Sequence, residues 1–467
     1  MLLIVQLRNH APQIRAAQIQ KIINSFQKFT KNTDFLLLKT FKTDIIVLLS
    51  YLEGLTMKGN VIVGQSGGPT AAINSSLAGV YRTAIDRGAP KVYGMRHGIQ
   101  GLLNEDYVDL SEHIQSDLDI ELLKRTPAAY LGSCRYKLPE IHESIETYEK
   151  IFAILEKLDI ECFIYIGGND SMDTIKKLSD YAILKGHPTK FLGVPKTIDN
   201  DLALTDHTPG YGSAAKYIGT SVKEIIQDSN ALIYNKGLVT IVEIMGRNAG
   251  WLTGSAALSR GEDCEGPDLI YLPELSFDID DFLARVKKLL ETKSFVVVAV
   301  SEGIRLADGR YVCELTDGID FVDAFGHKQL TGTANYLARR LSQEIGCKTR
   351  SIELSSMQRA ASHLASRIDI LEAFQVGGAA VKAADEGDTG EMVILTRLSD
   401  DPYQSTTDLR NVHKVSNVEK VVPREWITED GTYVTEEFIN YVRPLIQGDV
   451  SPVMVDGIPR YLYHKKK

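Results

Sequence analysis

The sequence predicts an α/β protein whose sheets are mostly parallel and covered by helices on both faces. Three observations carry that prediction. From Met57 onward, short apolar runs alternate with segments of helical period. Two of the runs lead into paired glycines followed directly by residues that suit a helix start, Pro69-Thr70 in one and Asn169-Asp170-Ser171 in the other. The chain has 467 residues, 44% apolar and 24% charged, an ordinary globular composition long enough for about two to four packing units.

Taken in order, residues 1–56 stand apart. They carry weak helical periodicity and no turn chemistry that leads to a site. The stretch from Phe35 to Leu55 is rich in apolar residues, but Lys39, Lys42, Asp44 and Glu53 interrupt it. A membrane span needs about twenty largely uncharged residues, so none is read here. Met57 opens a segment that runs straight into an apolar strand, and it is expected to begin the functional domain and to be a candidate natural start. The other reading of 1–56 is a helical extension used in oligomerisation or regulation.

Strands are predicted at 61–63, 162–166, 191–194, 238–244, 268–272, 295–300, 349–354 and 391–397. Helical patterns lie between many of them, for example Phe282 to Glu291 and Ala334 to Ile345. In the latter, Leu337, Leu341 and Ile345 recur every four residues as one apolar stripe, and Gly346 supplies the stop. There is no internal repeat, low-complexity tract or Pro/Ser-rich linker, so the domains should be joined by tight crossings.

The formal net charge of −9 argues against nucleic acid or an anionic membrane as the main partner. It leaves room for a locally basic pocket that takes an anionic substrate. Cys134, Cys162, Cys264, Cys313 and Cys347 are scattered, with no CxxC pair and no zinc spacing, and read as free structural thiols in a reducing compartment. No secretory signal is visible, and a cytoplasmic setting is expected.

Three stretches carry chemistry. In VIVGQSGGPTAAIN, a buried strand ends at Gly64, and Gly67 and Gly68 let backbone approach a bound group before Pro69 and Thr70 open a helix. In IYIGGNDSMDT, Gly167 and Gly168 end a strand, and Asn169, Asp170 and Ser171 open the next helix. Two such turns in one parallel sheet could converge on one diphosphate-sized ligand. Asp170 is either a favourable helix cap or, at an anion site, a repulsive neighbour for a further negative group. In GVPKTIDND, Lys196, Asp199 and Asp201 follow a strand end on one short turn. Phosphoryl transfer to an alcohol needs charge neutralisation, a metal ligand and a base, and these residues supply candidates for all three.

With GGPTAAIN, GGNDSMD, PKTIDND, MGRNAGWL at 245–252, PE at 273–274, SEG at 301–303 and QR at 358–359, the chain resembles the phosphofructokinase family from about Met57 to about Val381. The resemblance implies two Rossmann-like three-layer α/β domains with the active site in the cleft between them. Domain one would cover 57–204 with a return at about 356–400, and domain two 205–355. Residues 401–467 would complete the fold, with no chemistry of their own. The resemblance also implies roles. Asp199 matches the catalytic base, Asp201 a carboxylate acting on Mg²⁺, and Thr197 a substrate-contacting hydroxyl. Met245, Gly246 and Arg247 match the segment that holds fructose 6-phosphate, with Arg247 near the transferring group. Glu302 matches a carboxylate bonded to sugar hydroxyls, Arg350 and Arg359 arginines that grip the 6-phosphate, and Arg135 one near the donor. Arginine clusters suit such sites because the guanidinium is always charged and binds phosphate oxygens in pairs.

Two positions bear on the donor. ATP-using members resemble GGDGS and PGTIDND, pyrophosphate-using members GGDDS and PKTIDND; this chain has Asp170 and Lys196. A carboxylate at 170 would lie where the α-phosphate of a nucleotide sits, and like charges about 4 Å apart repel by several kcal/mol at an intermediate dielectric. Lys196 adds a compact cation for pyrophosphate. The expected reaction is therefore reversible, Mg²⁺-dependent transfer from pyrophosphate to the 1-hydroxyl of fructose 6-phosphate. The alternatives are an ATP-dependent phosphofructokinase, a non-catalytic sugar-phosphate-binding subunit, or a variant acting on sedoheptulose 7-phosphate. Two departures stand out. Asn169 replaces an Asp associated with Mg²⁺, and Ser356-Met357 precedes QR where the family often has His or Tyr. A homodimer or homotetramer is expected, with a neighbouring subunit lending arginines to the 6-phosphate.

Overall fold

In the computed structural model, which describes residues 57–232, 237–315 and 330–463, strand β1 (Asn60–Gln65) is buried along almost its whole length. An unbroken apolar run behaves this way when both faces of its sheet are covered. Val61 and Val63 point into one core with Leu77 and Val376, while Ile62 points into another with Tyr148, Ile151 and Leu155. Alternate residues of β4 (Ile160–Gly167) and β5 (Lys190–Pro195) divide in the same way, giving helix, sheet and helix in three layers.

This sheet has the order β11-β10-β5-β4-β1-β2-β3, where β2 is Val92–Met95, β3 Tyr107–Asp109, β10 Glu391–Asp400 and β11 Tyr403–Asn411. Only the edge strands β3 and β11 run antiparallel to their neighbours. A second, wholly parallel sheet has the order β7-β8-β6-β9, built from Leu238–Ile244 (β6), Leu269–Tyr271 (β7), Phe295–Ser301 (β8) and Lys348–Glu353 (β9). Its two faces pack against Tyr211–Asn230 on one side, and Ile279–Leu289 and Thr333–Glu344 on the other.

Each of the eight predicted strands has its counterpart, and the two predicted helices fall within a few residues of the observed ones. The sequence reading did not find β2, β3 or β11. The edge strand β11, YQSTTDLRN, leaves alternate residues exposed and draws no apolar run. The extension 1–56 lies outside the described residues, as do the stretches 233–236 and 316–329.

The chain returns to the first sheet through the helix Arg367–Glu386, which crosses Ile73–Asp86 at glycines. A Cβ on Gly79 would sit 2.0 Å from the Phe374 carbonyl oxygen, and one on Gly377 would sit 2.1 Å from that of Ser76. The C-terminal segment then serves both sheets. It supplies β11 to the first, and it sends Phe438 of Glu436–Val442 to stack on Trp251, centroids 5.9 Å apart, in the core of the second.

Candidate active site

The strand order explains why distant motifs meet. β1, β4 and β5 are neighbours and parallel, so the turns that follow them, at Gly67–Gly68, Gly167–Gly168 and Lys196–Asp201, open at the same edge. In the second sheet β8, β6 and β9 are neighbours, so the segments after them, carrying Glu302, Met245–Arg247 and Arg359, also open together. Carboxyl ends of parallel strands are where open α/β sheets bind ligands. Between the two edges lies a cleft of about 260 Å³ lined by Gly68, Arg135, Lys196, Thr197, Asp199, Asp201, Met245, Arg247, Glu302 and Arg359, with Thr70, Asn248 and Glu419 among its other walls.

Lys196 defines one end. Its backbone N–H donates to the Gly167 carbonyl at 3.0 Å, and its Nζ donates to the Gly68 carbonyl at 2.7 Å. A Cβ on Gly67, which has φ +75°, would lie 3.2 Å from that amine. The glycine is therefore needed twice, for the turn and for the close approach. In the next turn, Thr197 Oγ1 accepts from the Asp199 N–H at 3.0 Å, and Asn200 follows with φ +54°. This locally braced reversal projects Asp199 and Asp201 to the same cleft.

The opposite wall is tied across three strands. Met245 N–H donates to Gln358 Oε1 at 3.2 Å, Gly246 N–H donates to Glu302 Oε1 at 3.4 Å, and Ser301 Oγ donates to the Gly246 carbonyl at 2.5 Å. Gln358 thereby fixes Arg359 beside the segment that carries Arg247. Glu274 of the PE pair stays behind the wall, accepting from the N–H groups of Gly250 and Val422 at 2.7 and 3.0 Å.

Burial sets the titration of the charged groups that face the cleft. Burial lowers the Lys196 pKa to about 8, against the pull of Asp199 and Asp201 and with the push of Arg135 and Arg359. Burial raises Asp201 to about 7, with Asp199 adding to the rise. Glu302 is raised to about 8 by burial and then by Asp199. Asp199 itself is raised by burial, although Lys196, Thr197, Arg247 and Arg359 oppose it. Bound anionic phosphates would keep Lys196 charged to higher pH, and a bound cation would favour the ionised form of Asp201 and Glu302. Two carboxylates repelling one another on one turn of the cleft wall fit Mg²⁺, which takes one or two protein carboxylates and completes its shell with water and phosphate oxygens. No group of three or more His, Cys, Asp or Glu side chains arranged for a metal occurs among the described residues.

Several expected site residues stand elsewhere. Ser171 is buried behind the turn, where a Cβ on Gly167 would lie 1.9 Å from its Oγ; Gly168 backs the Lys196 carbonyl. Asp170 is exposed on the first turn of Asn169–Lys185 and does not line the cleft. Two expected site residues have other partners within the single chain. Asn169 does not present its amide to the cleft: Oδ1 accepts from the Asn417 N–H at 2.5 Å and Nδ2 donates to the Val418 carbonyl at 3.1 Å. Arg350 does not join Arg359: it donates to Asp228 at 2.6 Å and lines a separate groove with Tyr217 and Glu224. It lies within β9, not after it, and shares that groove with Ile352 of the same strand. Glu419 was missed, because a lone glutamate in NVEKVV carries no local signal and reaches the cleft only through chain return.

Two such sheets, with carboxylates, a lysine and arginines lining one cleft, have the charge arrangement that the phosphotransferase class requires. The phosphofructokinase family model matches residues 60–384, and the chain belongs to that family. It is 42% identical over 406 residues to a pyrophosphate--fructose 6-phosphate 1-phosphotransferase of Xanthomonas campestris, covering 86% of this chain and 96% of the relative. A relative of the same name from Halomonas elongata is 40% identical over 403 residues, covering 86% and 95%. Among solved structures, the pyrophosphate-dependent phosphofructokinase of Nitrosospira multiformis is similar with a TM-score of 0.78 and 37% identity, covering 86% of this chain and 95% of that one.

Proposed function

We propose that this chain reversibly transfers a phosphoryl group from pyrophosphate to the 1-hydroxyl of fructose 6-phosphate, giving fructose 1,6-bisphosphate and phosphate. The observation that carries the donor reading is Lys196. Its amine is buried under the first glycine turn with two N–H bonds left to offer, at the end of the cleft opposite Met245 and Glu302. The names of the relatives agree with it.

In this reading Asp199 takes the 1-hydroxyl proton while the oxygen forms its bond to phosphorus, and the bridging P–O bond breaks to release phosphate. Lys196 and Arg135 hold the donor, and Arg247 balances charge at the transferring group. Met245, Glu302 and Arg359 orient the sugar phosphate. Mg²⁺ would be held by Asp201 with Asp199 nearby, and it neutralises phosphate charge when bound. Arg350 serves a sugar phosphate only if a second copy of the chain presents it, which favours a homo-oligomer. The five cysteines are all buried free thiols, which suits a reducing cytoplasm. Among the described residues no helix is long and apolar enough to cross a membrane.

Turnover of fructose 6-phosphate by the purified chain with Mg²⁺, pyrophosphate and ATP run in parallel, tests the reading. Activity with pyrophosphate and little with ATP is expected. Preference for ATP would overturn the donor assignment, and inactivity with both would overturn the catalytic one.

A further inference from the structure

The departure at Asn169 has a structural counterpart that the site roles leave unused. The segment Asn417–Lys420 lies across the ends of both sheets and touches three functional turns. At the donor turn it meets Asn169, whose Oδ1 accepts from Asn417 N–H while Nδ2 donates to the Val418 carbonyl. At the catalytic turn Glu419 pairs with Leu202 in an antiparallel bridge, and Lys420 N–H donates to the Asp201 carbonyl at 2.8 Å. Lys420 Nζ donates to the carbonyls of Asp206 and Thr205 at 2.7 and 3.3 Å and to Asn200 Oδ1 at 3.4 Å. At the sugar side, Trp251 Nε1 donates to the Lys420 carbonyl at 2.9 Å, and Asn248 Nδ2 donates to Glu419 at 3.0 Å.

The two backbone partners fix the Asn169 amide orientation, because an N–H requires the oxygen and a C=O requires the nitrogen. A carboxylate could serve the first contact only. It would set a negative oxygen against the Val418 carbonyl, leaving that contact repulsive. The catalytic turn depends on what the strap delivers. Asn200 holds a left-handed backbone, φ +54°, which asparagine adopts more readily than other non-glycine residues and which its contacts here hold in place. Asn200 is fully buried, and its Oδ1 also accepts from Thr208 N–H at 3.1 Å.

We propose that Asn169 is a positioning residue, clamping the strap Asn417–Lys420, which through Lys420 holds the turn that aims Asp199 and Asp201. It acts on the chemistry through the strap, and it is asparagine because the clamp needs a donor and an acceptor together. The inference rests on the cleft being the phosphotransfer site proposed above.

The test compares Asn169→Asp, Asn169→Ala, Lys420→Met and Lys420→Arg in steady-state turnover, with hydrogen–deuterium exchange over residues 197–210. Displacement of a reacting group by about 1 Å costs up to about 100-fold in rate. We expect Asn169→Asp to lower kcat by about 10- to 100-fold with the KM for fructose 6-phosphate within about twofold, and Asn169→Ala to lower it less. Lys420→Met should match the Asp variant, Lys420→Arg should recover most of the loss, and the double variant Asn169→Asp/Lys420→Met should fall no further than the worse single. Exchange over 197–210 should quicken in Asn169→Asp while the thermal midpoint holds. A metal-ligand role predicts the opposite order, Asp at or above the parent and Ala lowest, and that order would overturn the proposal. Unchanged exchange over 197–210 in Asn169→Asp would overturn it as well, without requiring turnover. Inactivity of the parent chain would instead count against the functional reading.

Discussion

Replacing Lys196 by methionine nearly keeps the side-chain volume and removes the charge from the end of the cleft proposed to hold the donor. Lys196 is 2% exposed, and one of its three N–H bonds goes to the Gly68 carbonyl at 2.7 Å. A unit charge about 4 Å from a phosphate oxygen interacts by about 4 kcal/mol at an effective dielectric near 20. Part of this is offset by desolvation, so a loss of about 2–3 kcal/mol is expected, or about 30- to 150-fold in kcat/KM for pyrophosphate at pH 7. The amine titrates at about 8 because it is buried. It therefore carries its charge at pH 7 and loses it as pH rises through about 8. The parent-to-variant ratio of kcat/KM should be largest near pH 7 and shrink as pH rises toward about 10, since kcat/KM reports the free enzyme. Pyrophosphate ionises identically in both assays, so the ratio removes its contribution. A ratio that stays large and constant across this range would refute charge as the working property of Lys196, and a ratio near one throughout would refute contact with the donor.

If Asp199 is the proposed base, Asp199→Asn should reduce kcat/KM by about 10²- to 10⁴-fold without lowering the thermal midpoint, because it removes the base and a carboxyl that burial disfavours in its charged form; kinetics and a melting curve on one preparation check this. Asp201 is raised to about 7 in the fold, above the roughly 3.9 of an unfolded aspartate, so its own contribution to native stability is greatest below about pH 4 and is lost as pH rises through about 7. In the absence of metal and donor, Asp201→Asn should therefore be more stable than the parent at pH 8, by on the order of 1–2 kcal/mol, and the gap should narrow toward pH 5. Gly79→Ala should cost about 3 kcal/mol or more, since the added carbon meets the Phe374 carbonyl oxygen at 2.0 Å and the two helices must separate; a denaturant midpoint close to the parent's would contradict that packing.

Pieces whose information is local can be read from the chain alone. The strand VIVG and its glycine turn, or PKTIDND with its strand end, needs only neighbours in the chain to state its form, because burial period and turn chemistry act over a few residues. Lys196, Asp199 and Asp201 were legible for that reason. The tertiary structure decided which pieces meet. The order β5-β4-β1 places three turns side by side although about a hundred residues separate the first two, and no period or spacing encodes that adjacency. It also decided that Arg350 pairs with Asp228 away from the cleft, and that Glu419 and Lys420, ordinary residues in a segment without a motif, reach the catalytic turn. Asn169 shows the division within one residue: its local position at a helix start suits an anion site, and its partners Asn417 and Val418, 248 and 249 positions away, claim both ends of its amide. Long-range hydrogen bonds are satisfied only when the chain has closed on itself, so their partners belong to the fold and not to the local sequence.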